Sequence, residues 1–284
     1  MDPRSDKGVF LLYSESYYSG TLGAALTEMT DNTNYLRRYL FALLAWALSF
    51  CLFLAFCVKT IGQSSVIFQV LANGVFLISS IALLISMNKV VQNEVILGLM
   101  LIGGLVGSYY LVVLLGDKAV RMLVQGPVLM CTAYGGARLL VTRIERSWHI
   151  GAAALMGLVA DIWSVFAPSG LTRTMLEHRP DVLNYLLVGF PIPGSGVRPI
   201  IGIADYVFFA IFLLHAEKFG FGFKKAVIAL TLSLVVTLVA VNALGLGLPA
   251  IPFMATFFVV ANLGRLWQDF KKDYAAGFQY EKKQ

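Results

Sequence analysis

Hydrophobic windows long enough to cross a bilayer follow one another along most of this chain, with polar residues confined to short stretches between them. A spanning helix needs about 20 apolar residues, and windows of that kind fall near 39–58, 65–87, 94–115, 119–141, 149–167, 199–216, 224–245 and 249–267. The pattern predicts one all-α, polytopic membrane domain. The fourth window is the least regular, because it holds Gln125, Gly126, Pro127, Gly135, Gly136 and Arg138. Proline and glycine are tolerated within a span when neighbouring groups cover the freed backbone, and Arg138 is expected to reach the interface. Gly103 and Gly107 form a small-xxx-small spacing suited to helix packing.

Residues 1–36 break the pattern. Between Gly8 and Leu26 the apolar runs are short and are interrupted by Glu15 and several hydroxyls. A basic start, a single apolar core and a small-residue cleavage site are all missing, so the segment is not expected to act as a secretory signal peptide. The segment is expected to be exposed or interfacial, with an extra membrane-embedded element as the alternative. The chain thus divides into that segment, a first group of spans over 37–147, and a second group over 148–284.

Composition decides which solvent to reason in. The chain is 58% hydrophobic and 13% charged, with a mean hydropathy of +0.76, whereas about a quarter of the residues in a soluble domain are charged. A net charge of +6 would suggest nucleic acid in a soluble protein. Here basic residues belong to loops and headgroups, so the lipid bilayer is the expected partner and nucleic acid is not. With eight spans, the face carrying both termini collects the larger share of the 22 lysines and arginines. The opposite face keeps Lys59, Lys118, Arg121, Arg173, Arg179 and Arg198. The positive-inside rule then makes the termini cytoplasmic. Short linkers and the lack of an Asn-x-Ser/Thr sequon favour a prokaryotic plasma membrane. Cys51, Cys57 and Cys131 lie in apolar windows and read as small hydrophobes. His149, His178 and His215 lie near helix ends, where interfacial or capping roles are expected; no metal or organic cofactor is implied.

Two acids stand out within the windows. Asp161 and Asp205 are each the lone charge of a hydrophobic segment, in consecutive windows of the second group. Asp161 lies six residues before Ala167, and Asp205 six after Pro199. At a rise of about 1.5 Å per residue, both carboxylates come to roughly 9 Å inside the same face. An ionised carboxylate in lipid is costly, so acids at depth mark sites. Two held together retain one proton between them, and such a pair can activate water and polarise a carbonyl. Peptide hydrolysis, a proton or ion relay in a transporter, and a structural hydrogen-bonded pair all remain open on these residues alone. A third feature is Gly245, Gly247, Pro249 and Pro252 around the start of the last window. Proline removes a donor there, leaving backbone groups that could bind an extended chain.

In order and spacing, these pieces resemble the presenilin and signal peptide peptidase family of intramembrane aspartyl proteases. In that family the first aspartate follows a tyrosine, the second ends a Gly-x-Gly-Asp motif, and a Pro-Ala-Leu motif opens the last helix. The corresponding residues are Ala160 and Asp161, then Gly202, Ile203, Ala204 and Asp205, then Pro249, Ala250 and Ile251. The run holding Pro168, Gly170, Arg173 and Glu177 looks like the presenilin branch. The resemblance covers Trp148 to the C-terminus. It implies a bundle of eight to nine spans and an Asp161/Asp205 catalytic dyad. It also implies substrate contacts at Gly202, Ala204, Pro249, Ala250 and Ile251, and transmembrane helices or signal-peptide remnants as substrates.

The departures are Ala160 for tyrosine, Ala204 for the second glycine and Ile251 for leucine. They imply altered activity or substrate preference, with an inactive scaffold as the other outcome. Presenilins keep the inter-aspartate loop in the cytosol and signal peptide peptidases keep it on the far side. The charge count points to the second arrangement and the local sequence to the first. The resemblance further implies that the run from Val182 to Phe190 pairs as a strand with an unwound substrate; a surface-lying turn is the alternative.

Overall fold

The computed structural model describes residues 33–57, 66–88, 90, 93–178, 182, 184–192, 196–244 and 248–277. The expectations for residues 1–32 and for Gly245 and Gly247 lie outside them. The protein is largely helical. In chain order the elements are α1 (Thr33–Cys57), α2 (Val66–Ser86), α3 (Glu94–Leu114), α4 (Lys118–Arg143), α5 (His149–Phe166), α6 (Leu171–His178), β1 (Leu187–Ile192), β2 (Gly196–Gly202), α7 (Ile203–Lys218), α8 (Phe223–Leu244) and α9 (Ile251–Ala275). Among the described residues, five segments are long and apolar enough to cross a membrane: Thr33–Cys57, Phe68–Ser86, Glu94–Leu114, His149–Met175 and Phe223–Val241. Exposed leucines, valines and aromatics cover their outer faces, as expected of surfaces that meet lipid.

The short α7 is the central helix. From Phe209 to Ala216 every residue is buried, polar His215 included, the signature of a helix surrounded by others. His215 sits among Phe219, Phe221 and Phe258, so its expected interfacial role is replaced by a core one. Helices α4, α8 and α9 pack around α7, and α5 packs on α9.

One end of the bundle is tied by polar side chains. Lys218 Nζ donates to the carbonyls of Val141, Thr142 and Ile144 at 2.8, 3.0 and 2.6 Å, satisfying the open C-terminus of α4. Ser147 and Trp148, before α5, donate to Asp269 and Asp273 of α9 at 2.6 and 2.8 Å. Arg265 donates to the carbonyls of Phe219 and Gly220. Gly220 and Gly222 take positive φ values of 66 and 90°, which lets α7 turn tightly into α8. These contacts explain why α9 runs past its expected end near 267. Its polar extension is the strap across that face.

The irregular fourth window has a packing reason. Pro127 cannot donate, which leaves the Leu123 carbonyl four residues earlier without its helical partner. The Trp46 indole Nε1 donates to that oxygen at 3.1 Å. A Cβ at Gly126 would lie 2.6 Å from the Trp46 ring, so glycine makes room for the indole. Trp46 and Phe50 of α1 and Phe76 of α2 then pack on Phe190 of β1, with ring centroids 5.5–5.8 Å apart. Trp46→Phe is expected to cost about 1–3 kcal/mol, the penalty of an orphaned buried carbonyl. The midpoint of thermal unfolding in detergent checks this.

The α3/α4 seam differs from the expected Gly103/Gly107 spacing. A Cβ at Gly103 meets nothing within 4 Å. A Cβ at Gly104 would collide with Thr132, and one at Gly135 would lie 3.0 Å from the Leu97 carbonyl oxygen. Gly104 and the buried Ser108 therefore carry the close approach, one position round the helix.

Candidate active site

Two parts of the sequence expectation change at the second aspartate. The window near 199–216 is not one helix: Pro199 to Gly202 belong to β2, which pairs antiparallel with β1 from Leu187↔Gly202 to Ile192↔Gly196. A bulge interrupts the register between Val188 and Gly189. The Ile203 N–H continues the ladder to the Leu186 carbonyl at 2.9 Å, and α7 begins there. Asp205 thus stands in the first turn of its helix, and its depth cannot be counted as helical rise from Pro199. Depth is set instead by the hairpin, which is inserted among helices. Val188 to Ile192 are buried, and Phe190 packs against Phe50, roughly 10 Å of helical rise from the Cys57 end of α1. Non-helical backbone at such depth is tolerated where protein covers it.

The hairpin is pinned by two side chains on the α3/α4 seam. Ser108 Oγ donates to the Tyr185 carbonyl at 2.6 Å. Gln125 Nε2 donates to the Asn184 carbonyl at 2.6 Å and to Ser108 Oγ at 3.1 Å. Sequence reasoning registered Gln125 only as a blemish in an apolar window. A buried amide and a buried hydroxyl in lipid-length helices were the available signal.

Asp205 is N3 of α7, and its Oδ2 accepts the N–H of Gly202, the N-cap, at 3.3 Å. The carboxylate closes back on its own helix start, as a capping residue does. A Cβ at Gly202 would lie 3.6 Å from Asp205 Oδ2, an ordinary contact. Ala204 is exposed on α7.

Asp161 reaches across to α9. Its Oδ2 accepts the Ile251 N–H at 3.1 Å. Ile251 is the first residue of α9, Ala250 before it has no capping side chain, and Pro252 after it has no N–H. The helix therefore opens with an orphan donor, which Asp161 takes from another helix. The expectation that this backbone stays unpaired is corrected at Ile251. Pro249 and Ile251 are buried, and Ala250 is half-buried.

Contact between α5, α7 and α9 rests on Gly157, one turn before Asp161. A Cβ there would lie 2.5 and 2.6 Å from ring carbons of Phe208 and 3.3 Å from Ile251 Cγ2. The absence of a side chain lets α5 approach both partners. Asp161 and Asp205 come within electrostatic range of each other. Ala160 is exposed on the outer face of α5 beside Val159 and Trp163. Following the helix, α6 carries the Arg173–Glu177 pair at 3.0 Å. Asp161, Asp205, Gly202 and the Pro249–Ile251 segment are thus brought to one locality at the end of the bundle opposite the polar strap. Neither a protein-family model nor a curated protein matches the chain.

Proposed function

We propose that the protein is an intramembrane aspartyl endopeptidase, a presenilin-like bundle of eight to nine spans in a prokaryotic plasma membrane. The observation that carries the reading is the Asp161–Ile251 hydrogen bond. It joins the first acid to the segment that opens the last helix, with the second acid in electrostatic range. Three stretches far apart in sequence meet at two acids, each of which stands alone in its apolar run. Chance would not favour that for costly groups.

In the proposed reaction one carboxylate is ionised and the other protonated. The ionised member takes a proton from water as the water oxygen adds to the scissile carbonyl, while the protonated member gives its proton to the carbonyl oxygen. The tetrahedral diol then collapses: its C–N bond breaks, the nitrogen receives the proton that the first carboxylate took from water, one diol hydroxyl returns a proton to the second carboxylate, and acid and amine fragments leave. A helical substrate shields its peptide bonds, so it must be extended near Pro249 and Ala250. The β1–β2 hairpin supplies strand backbone for such a chain to pair with.

A second reading has its own support. Each carboxylate accepts an N–H at the start of a helix, which suits a scaffold whose acids serve only as caps. Cleavage of a single-span reporter in liposomes by wild type, Asp161→Ala and Asp205→Ala separates the two. Fragments from the wild type alone support the protease. Equal silence from all three, with only the variants destabilised, supports the scaffold.

A further inference from the structure

We propose that a groove at the polar end of the bundle binds the headgroup of an anionic phospholipid. The groove has a volume of about 890 Å³ and lies between the start of α1 and the end of α2, with Glu217 of α7 and Phe223 of α8 at its edge. Its two walls grade in the same direction. On α1, Arg37 and Arg38 stand one helical turn outside Phe41 and Ala42. At the end of α2, the polar Ser86 and, just past the helix, Asn88 stand outside Ala82 and Ile85. The outer part is therefore cationic and polar and the inner part apolar, the order of a phospholipid's phosphate and acyl chains.

The charges in the groove are available for this. Both arginines are exposed, and among the described residues neither makes an ion pair. Arg38 lies over the Tyr35 ring at 5.8 Å, which orients its guanidinium. The acid at the edge, Glu217, is bonded by Asn88 Nδ2 at 2.7 Å. Lys218 next to it is held by the carbonyls that end α4. Arginine's planar fork matches phosphate oxygens two at a time, and basic clefts between spans at the membrane surface select anionic headgroups. Inorganic phosphate would use only the outer half of the groove. An uncharged lipid would use only the inner half.

Native mass spectrometry of the full chain in detergent, titrated with phosphatidylglycerol or phosphatidylcholine, tests the proposal. The wild type is expected to retain phosphatidylglycerol with a preference on the order of tenfold. Arg37→Gln with Arg38→Gln should remove that preference, and Lys224→Gln with Lys225→Gln, on charges outside the groove, should keep it. Ala82→Phe fills the apolar floor with both arginines intact and should lower retention, so it decides the matter where the double arginine variant does not fold. The proposal is overturned by an unchanged preference in the arginine variant or by its equal loss in the lysine variant. It is also overturned by competition from millimolar inorganic phosphate, which would reveal an anion site only.

Discussion

Asp205→Asn is expected to abolish reporter cleavage and to leave the fold as stable as the wild type. The amide oxygen of asparagine occupies the place of Oδ2 and still accepts the Gly202 N–H, now 3.3 Å away. The start of α7 stays capped. What is lost is the ability to exchange a proton, which a carboxylate dyad needs from both members. Residues that act as one catalytic unit lose on the order of 10⁴-fold or more when either is disabled. Asp161→Asn behaves alike, since its amide oxygen can accept the Ile251 N–H. Alanine at either position is different, because it also orphans a backbone donor and adds a stability loss of about 1–3 kcal/mol. Initial cleavage rates in liposomes, set beside unfolding midpoints in detergent, check both halves. An asparagine variant that cleaves at the wild-type rate would leave capping as the only role for these acids.

Gly157→Leu is the second large effect, and it acts without touching either acid. The leucine Cβ would fall 2.5 Å from the Phe208 ring and 3.3 Å from Ile251, closer than van der Waals contact allows. The tip of the Phe208 ring must swing aside or α5 must move away from α7 and α9, and with any movement of α5 Asp161, one turn on along the same face, moves too. A displacement of about 1 Å at reacting groups costs about 10²-fold in rate, and overpacking costs about 1–3 kcal/mol in stability. Gly151→Leu is the matched control: a Cβ there meets nothing within 4 Å, so rate and stability stay at wild-type values. The same rate assay and unfolding measurement read both variants.

Among the described residues, five of the eight windows hold helices long and apolar enough to cross a membrane, and these were legible because a run of about twenty apolar residues suits a crossing and little else. The lone acids were legible for the opposite reason, as the costliest residues in their segments. Pro199 to Gly202 misled, because an apolar run next to proline satisfies a buried strand and a helix start equally, and its partner strand from Leu187 to Ile192 lies across an intervening turn. The roles of Ser108 and Gln125 depend on carbonyls at Tyr185 and Asn184, contacts that no local pattern encodes. The Trp46–Leu123 bond was hidden in the same way. Pro127 announced a missing donor, but nothing near it in sequence named the indole that compensates. Asp161's partner was half visible: Pro252 and the lack of a capping side chain at Ala250 marked an open helix start, while its distance from Asp161 in the chain hid what fills it.

Hydrolysis within a transmembrane segment is read by mass-spectrometric mapping of a single-span reporter incubated with purified protein in ¹⁸O-enriched water. The wild type is expected to yield fragments that end inside the span, each new carboxyl carrying one ¹⁸O from solvent, and Asp205→Asn is expected to yield none. A reporter that stays intact, or is cut only in its flanking loops, would contradict it.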